Sequence, residues 1–329
     1  MSLQAQIRIK GTPARRFFEE RFPNVKAVRK DLVARASDTT TTRPLESAGY
    51  PWTVVGSAID YRIRLAFSQA NSYLPRWEFA SPVRGFGLAM DGKLPRPFPA
   101  EIAAASGEPY GPFNSWAGAF FEKLHDVLGA VLANDSDPAK QPDAALEGTL
   151  AQLCYVLGLY DALYHAEPLV RSPLYEKLNF PPGLLPVADA LSLLCPPNVV
   201  ADLVAMTTRF YEEQRERLDS ARVELSPTFV GSAEIGGADS DLIVGRCLID
   251  VKALVDPAKY SHPWPWQLLG CVLLDYEDAW ELTSVAIYLA RQARLIEWPL
   301  DELCLMLGGS GQEPLSKLRG AFQRAVTAE

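Results

Sequence analysis

Three aspartates and a lysine lie close together in this sequence, at Asp239, Asp241, Asp250 and Lys252. Carboxylate oxygens are the ligands that Mg²⁺ and Mn²⁺ prefer in proteins. A cation held by them lowers the pKa of a bound water and neutralises charge on a phosphoryl oxygen. A lysine beside such a site can orient the attacking water and stabilise the developing charge. These residue types therefore predict metal-dependent hydrolysis of a phosphodiester.

The elements that would position these four residues form a predicted β-hairpin. Two short apolar runs, 242–244 and 247–249, flank the Gly-Arg pair at 245–246, which is typical of two strands joined by a type II′ turn. In this register Asp241 lies opposite Asp250. Because side chains alternate along a strand, all four polar residues then share one face. Opposed like charges destabilise a hairpin, so this arrangement favours a bound cation.

The Asp-x-Lys spacing carries little information by itself. A second copy at 91–93 lies among glycines and prolines with no predicted strand around it, and we interpret that copy as chance. The alternative for the hairpin is purely structural. In that case the aspartates are turn or edge-strand residues, and Lys252 is a charge that keeps an edge strand from pairing with other chains.

In their context, these residues resemble the PD-(D/E)XK nuclease superfamily, in particular its RecB-like branch. Asp241 matches the aspartate that opens one strand, and Asp250 and Lys252 match the (Asp/Glu)-x-Lys element of the next. Gln267 matches the glutamine on the helix that follows. Asp239 is the alternative for the first aspartate, since it shares the face and lies two residues earlier. The resemblance implies Mg²⁺ or Mn²⁺ as the cofactor and gives catalytic roles to the four matching residues.

The RecB-like branch also tends to begin with a helix that carries Gly-x-x-x-His or an acidic equivalent. The segment from Gly56 to Asp60 resembles this element, which would place Asp60 near the metal. This chain departs from the branch at two positions. Asp60 replaces the commoner histidine, and Cys271 stands where a tyrosine often follows the glutamine by four residues.

The resemblance implies an α/β (α+β) fold whose core is restriction-endonuclease-like, with a mixed central β-sheet flanked by helices. We assign 51–70 and 221–310 to that core, 71–220 to a large mainly helical insertion, 1–50 to an N-terminal segment and 311–329 to a C-terminal tail. Apolar periodicity predicts helices that begin near Thr53, Ser115, Ala144, Asn198, Trp266 and Asp301. It also predicts strands over 228–234 and 282–288.

Composition limits the function classes. The chain has 329 residues, 48% of them hydrophobic and 22% charged, as in an ordinary globular protein. Its five cysteines contain no Cys-x-x-Cys pair, which argues for a reduced, cytoplasmic location and against a zinc site. No apolar run is long enough to span a membrane, and the first residues lack the apolar core of a signal peptide. The net charge of −8 requires any nucleic-acid contact to be local.

Four residues near the hairpin are candidates for that contact. Lys259 and Arg291 could bind phosphates, His262 could contact the substrate, and Trp264 could stack on unpaired bases. The alternatives are ordinary surface charge and an aromatic loop that packs on the core. The sequence thus predicts a metal-dependent nuclease that acts on DNA. The second hypothesis is a catalytically inactive nuclease-like fold that serves as a nucleic-acid-binding or protein-interaction module.

Overall fold

The structure is a computed structural model, and the chain divides into two compact units. The sheet unit consists of Met1–Thr41 and Ser220–Glu329, and the helical unit consists of Thr42–Asp219. The residues that the structure describes are 1–45, 49–71, 112–134, 139–165, 187–218, 222–238, 240–260, 263–308 and 313–327.

The described residues of the sheet unit form five strands that lie side by side in the order of the sequence. Neighbouring strands are antiparallel except the third and fourth, which are parallel. The fold is therefore α+β with a mixed sheet flanked by helices, which confirms that part of the prediction. The strands are β1 (Val223–Leu225), β2 (Leu242–Val244), β3 (Cys247–Lys252), β4 (Ser284–Leu289) and β5 (Arg294–Pro299).

The predicted hairpin is confirmed in its register. Leu242 pairs with Ile249, and Val244 pairs with Cys247, so two residues form the turn. Of these two, Gly245 alone has a positive φ, at 62°. A glycine at the first turn position and an ordinary φ at the second are the features of a type II′ turn, whose twist matches that of the strands.

The helices account for most of the described residues. Among these residues, no single helix is long and apolar enough to cross a membrane, although the seventh and eighth helices, bent by 92° at their break, reach that length and hydropathy as a pair. In chain order the helices are α1 (Leu3–Arg8), α2 (Pro13–Arg21), α3 (Val25–Ala36), α4 (Trp52–Ala70), α5 (Pro112–Asn134), α6 (Ala144–His165), α7 (Val187–Leu194), α8 (Pro197–Leu218), α9 (Trp264–Leu274), α10 (Leu300–Gly308) and α11 (Leu315–Thr327).

Helix α9 provides the crossover that the parallel pair β3 and β4 requires. Its sequence is apolar on all sides, as expected of a helix that is buried all round. Leu268 and Leu269 of this helix belong to the same core as Leu248 of β3 and Ile287 of β4. Helices α1, α2 and α3 contribute to that core from the other end of the chain. The core thus covers the sheet face toward which Leu248 points.

The helical unit is built around α4, α6 and α8, which contact one another. Helices α4 and α6 come unusually close at Gly158, where an added Cβ would lie 2.6 Å from the carbonyl oxygen of Val54. Only glycine permits this approach. A buried ion pair joins the same two helices, since Arg62 Nε donates to Glu147 Oε1 at 2.8 Å and Nη2 donates to Oε2 at 2.6 Å.

The structure differs from the sequence interpretation at several elements. The strand predicted over 228–234 is instead a 3₁₀ turn at Val230–Ser232, and β1 precedes it. Strand β5 and helix α11 were not predicted, and α11 lies in the segment assigned to a tail. Helix α4, which the resemblance groups with the sheet, belongs to the helical unit, whereas α1 to α3 belong to the sheet unit.

Candidate functional site

The hairpin brings Asp241, Asp250 and Lys252 together at one end of β2 and β3. Lys252 Nζ lies 2.6 Å from Asp250 Oδ2. The backbone N–H of Val251 donates to Asp241 Oδ2 at 2.6 Å. The Asp241 carbonyl oxygen also accepts from the N–H of Ser226 at 2.9 Å, which extends the β1–β2 pairing by one residue. The N–H of Val251 thus holds the Asp241 carboxylate against the strand that carries Asp250 and Lys252.

Burial makes this cluster electrostatically strong. Asp250 is 4% exposed and has Ile287 of β4 as its strand neighbour. A carboxylate in such surroundings needs a compensating charge. Burial by itself would lower the pKa of the Lys252 ammonium, but the negative charges of Asp250 and Asp241 outweigh it and hold that pKa above its ordinary value. Lys252 therefore stays protonated at neutral pH and can act as a hydrogen-bond donor rather than as a base.

Tyr260 is a member of the site that the sequence interpretation missed. Burial raises the pKa of its hydroxyl, the charge of Lys252 acts against this rise, and the charge of Asp250 adds to it. The ring packs partly buried against the core of the sheet unit. The sequence signal that could have identified Tyr260 is its position between Lys252 and Gln267. The aromatic composition of that loop concealed it, because such loops more often serve packing.

Gln267 lies in the first turns of α9, as predicted. Its Oε1 atom is buried and forms no hydrogen bond within the part of the chain that the structure describes. The resemblance implies that Gln267 steadies Lys252, and the structure shows no hydrogen bond of this oxygen to the lysine. Gln6 Oε1 on α1 is in the same state, so the missing bond does not by itself mark a functional residue.

Of the four residues predicted to contact nucleic acid, one is exposed, two are buried and one lies outside the described residues. Lys259 is exposed and lies 3.6 Å from Asp256, in a position open to a phosphate. Trp264 and Arg291 require correction, because both are almost fully buried. The Trp264 ring packs against Trp298 with 5.4 Å between centroids, which leaves no ring face for a base.

Arg291 has an internal partner instead of a phosphate. Its Nε donates to the carbonyl oxygen of Ala253 at 3.1 Å, and the neighbouring Gln292 donates to that of Leu254 at 3.0 Å. These bonds tie the segment that follows Lys252 to the end of β4. Arg291 therefore supports the segment after β3 from within. His262 lies outside the described residues, as does the second Asp-x-Lys copy at 91–93.

The predicted metal ligands are only partly described. Asp239 lies outside the described residues, and Asp60 belongs to the helical unit, where Arg64 Nε donates to its Oδ1 at 2.9 Å. The described ranges hold no group of three or more His, Cys, Asp or Glu side chains suited to a metal. Asp241 and Asp250 nevertheless provide hard oxygen donors, and Mg²⁺ is commonly bound by one or two carboxylates together with water and phosphate. The two residues fit such a cation.

Comparisons of this chain with protein-family models, with curated proteins and with solved structures return no match. The chemistry of the site must therefore be inferred from its own geometry and from the resemblance of its residues.

Proposed function

We propose that this protein is a metal-dependent nuclease that hydrolyses phosphodiester bonds in DNA. The observation that carries the proposal is the meeting of Asp241, Asp250 and Lys252 across the β2–β3 hairpin, with Nζ of the lysine 2.6 Å from Asp250. A folded chain gains little from two carboxylates placed on facing strands, because like charges in such a position repel each other. A function in which the two carboxylates bind a cation accounts for their position.

The order of the elements supports a restriction-endonuclease-like core. The resemblance requires an aspartate before one strand, an Asp-x-Lys on the next strand and a glutamine on the helix that follows. Asp241 precedes β2, Asp250 and Lys252 lie on β3, and Gln267 lies on α9. All of these elements belong to the sheet unit, whose sheet is mixed.

The roles of the residues follow from their charge. Asp241 and Asp250 would hold Mg²⁺ or Mn²⁺, which supplies a more acidic water and neutralises phosphoryl charge when it is bound. Lys252 stays protonated, so it can donate a hydrogen bond to the attacking water and stabilise the negative charge that develops on phosphate. The unpartnered Oε1 of Gln267 is an acceptor suited to orient a donor such as that ammonium group.

A nuclease assay on labelled DNA tests the proposal. Wild type should cleave in Mg²⁺ and not in EDTA, and Asp250→Ala and Lys252→Ala should each lose about 10²–10³-fold in rate. Glu302→Ala is the matched control, because this acidic residue is exposed on α10 and should keep full activity. Equal residual activity in wild type and both site variants would refute the nuclease assignment.

A second candidate is the catalytically inactive module, and one observation favours it. Lys252 contacts Asp250 directly, and the described residues offer two carboxylates rather than three. Calorimetry with Mn²⁺ separates the two candidates. A nuclease should show a saturable site that Asp250→Ala abolishes, whereas a binding module should show none.

A further inference from the structure

Positive charge is concentrated at the start of the chain. Residues 1–41 contain nine basic and four acidic residues, a net charge of +5 in a chain whose total is −8. The remaining residues therefore carry −13. This segment forms helices α1, α2 and α3, which belong to the sheet unit and contribute to its core. An acidic protein thus carries one basic segment, and it is folded beside the candidate site.

Helix α3 presents part of this charge as a stripe. Lys26, Arg29 and Lys30 have the i, i+3, i+4 spacing that places side chains on one helix face. Val28 and Leu32 of the same helix are buried in the core. The two lysines are exposed, and none of the three cations has a hydrogen bond or ion pair within the described part of the chain.

Other arginines of the segment behave differently. Arg15 pairs with Glu19, Arg21 pairs with Glu313, and Arg35 pairs with Asp31. These pairs show that acidic partners are available around the N-terminal helices. The cations of the α3 stripe are left without them, so their charge is directed to solvent.

Two contacts place the basic helices beside the catalytic strands. The N–H of Leu3, at the start of α1, donates to the carbonyl oxygen of Gly237 at 2.9 Å, four residues before Asp241. Helix α3 contacts the 3₁₀ turn Pro257–Lys259, which follows Lys252. Helices α1 and α3 therefore adjoin the segments that enter and leave the hairpin.

We infer that Arg8, Lys10, Lys26, Arg29 and Lys30 form a phosphate-binding surface that receives the backbone of the DNA substrate. This N-terminal basic surface rests on the proposed nuclease function, because it assigns the same site its partner. Arg8 and Lys10 are exposed at the end of α1. The surface contacts phosphates rather than bases, so it predicts binding that depends on salt and not on sequence.

The test measures binding without cleavage. A short fluorescein-labelled duplex is titrated with full-length protein in EDTA over a series of salt concentrations, and anisotropy is recorded. Lys26→Gln/Lys30→Gln should weaken binding about tenfold and reduce the slope of log K against log salt by about 2. Lys26→Arg/Lys30→Arg keeps the charge and should bind as wild type does.

The control removes two cations from another helix of the same unit. Lys317 and Arg324 are exposed on α11, so Lys317→Gln/Arg324→Gln changes the net charge equally and should leave the affinity and the salt slope near wild type. The inference is overturned if both double variants lose the same affinity, if neither does, or if wild type does not bind. Because the assay excludes metal, such a result is independent of the cleavage test, which decides the nuclease proposal separately.

Discussion

Each unit of this protein contains an ion pair of low exposure, and the two pairs differ in their exposure and in the charges beside them. In the helical unit, Arg62 and Glu147 share two hydrogen bonds, and Nη2 of the arginine also reaches the Tyr211 hydroxyl at 3.3 Å. Both side chains are at most 1% exposed. In the sheet unit, Lys252 Nζ lies 2.6 Å from Asp250 Oδ2, and 20% of the lysine side chain is exposed.

The charges beside the two ion pairs also differ. The Arg62–Glu147 pair has one cation for one carboxylate, and the geometry is bidentate. Beside Lys252 and Asp250 lies a second carboxylate, that of Asp241, which contributes to the raised pKa of the lysine. The first pair is balanced in charge, whereas the second has an excess of negative charge. A balanced, fully buried pair serves the fold, and an unbalanced, partly exposed pair has the capacity to bind a cation.

The largest expected effect comes from breaking the balanced pair. Glu147→Gln leaves the Arg62 guanidinium buried without a counter-charge, and the free energy of unfolding should fall by about 3–5 kcal/mol. Urea unfolding followed by circular dichroism measures the change. Glu213→Gln on α8 is the control, because Glu213 is exposed and should show no change. A loss as small as that of the control would show that the pair does not stabilise the helical unit.

A smaller effect should come from filling the unbalanced site. Mn²⁺ at about one hundred times its dissociation constant should raise the free energy of unfolding by about 2.7 kcal/mol, since it binds the folded chain alone. Asp250→Asn should abolish this gain, because it removes one of the two ligands. Urea unfolding with and without the metal provides the measurement. An equal gain in wild type and Asp250→Asn would place the bound ion elsewhere.

Local chemistry explains why the hairpin could be predicted from sequence. The turn at Gly245, the apolar runs beside it and the alternation of side chains all act within about ten residues. They were enough to predict the register of the hairpin and the placement of Asp241, Asp250 and Lys252 close together at one end of it. The apolar composition of α9 similarly predicted the helix that carries Gln267.

Tertiary packing explains what the sequence concealed. Arg291 and Trp264 have the residue types of a nucleic-acid surface, and nothing adjacent to them in sequence shows that the core encloses both. Tyr260 is the opposite case. The aromatic composition of its loop predicted packing on the core, whereas the fold places Tyr260 beside Lys252. The basic composition of residues 1–41 is visible in the sequence, but its location beside the hairpin depends on contacts more than two hundred residues apart, such as that of Leu3 with Gly237.

The smallest expected effect on stability comes from Gln267, and it sharpens the contrast between structural and functional polar groups. Because Oε1 forms no hydrogen bond within the described residues, Gln267→Leu removes no bond of this oxygen and relieves the cost of burying it, so the free energy of unfolding should not fall. DNA cleavage should still fall about tenfold if the amide orients Lys252 during catalysis. Gln6→Leu is a matched control, since its Oε1 is also buried and unpartnered, on α1. Loss of stability without loss of rate in Gln267→Leu would assign this residue to the core, whereas loss of rate alone would assign it to the site.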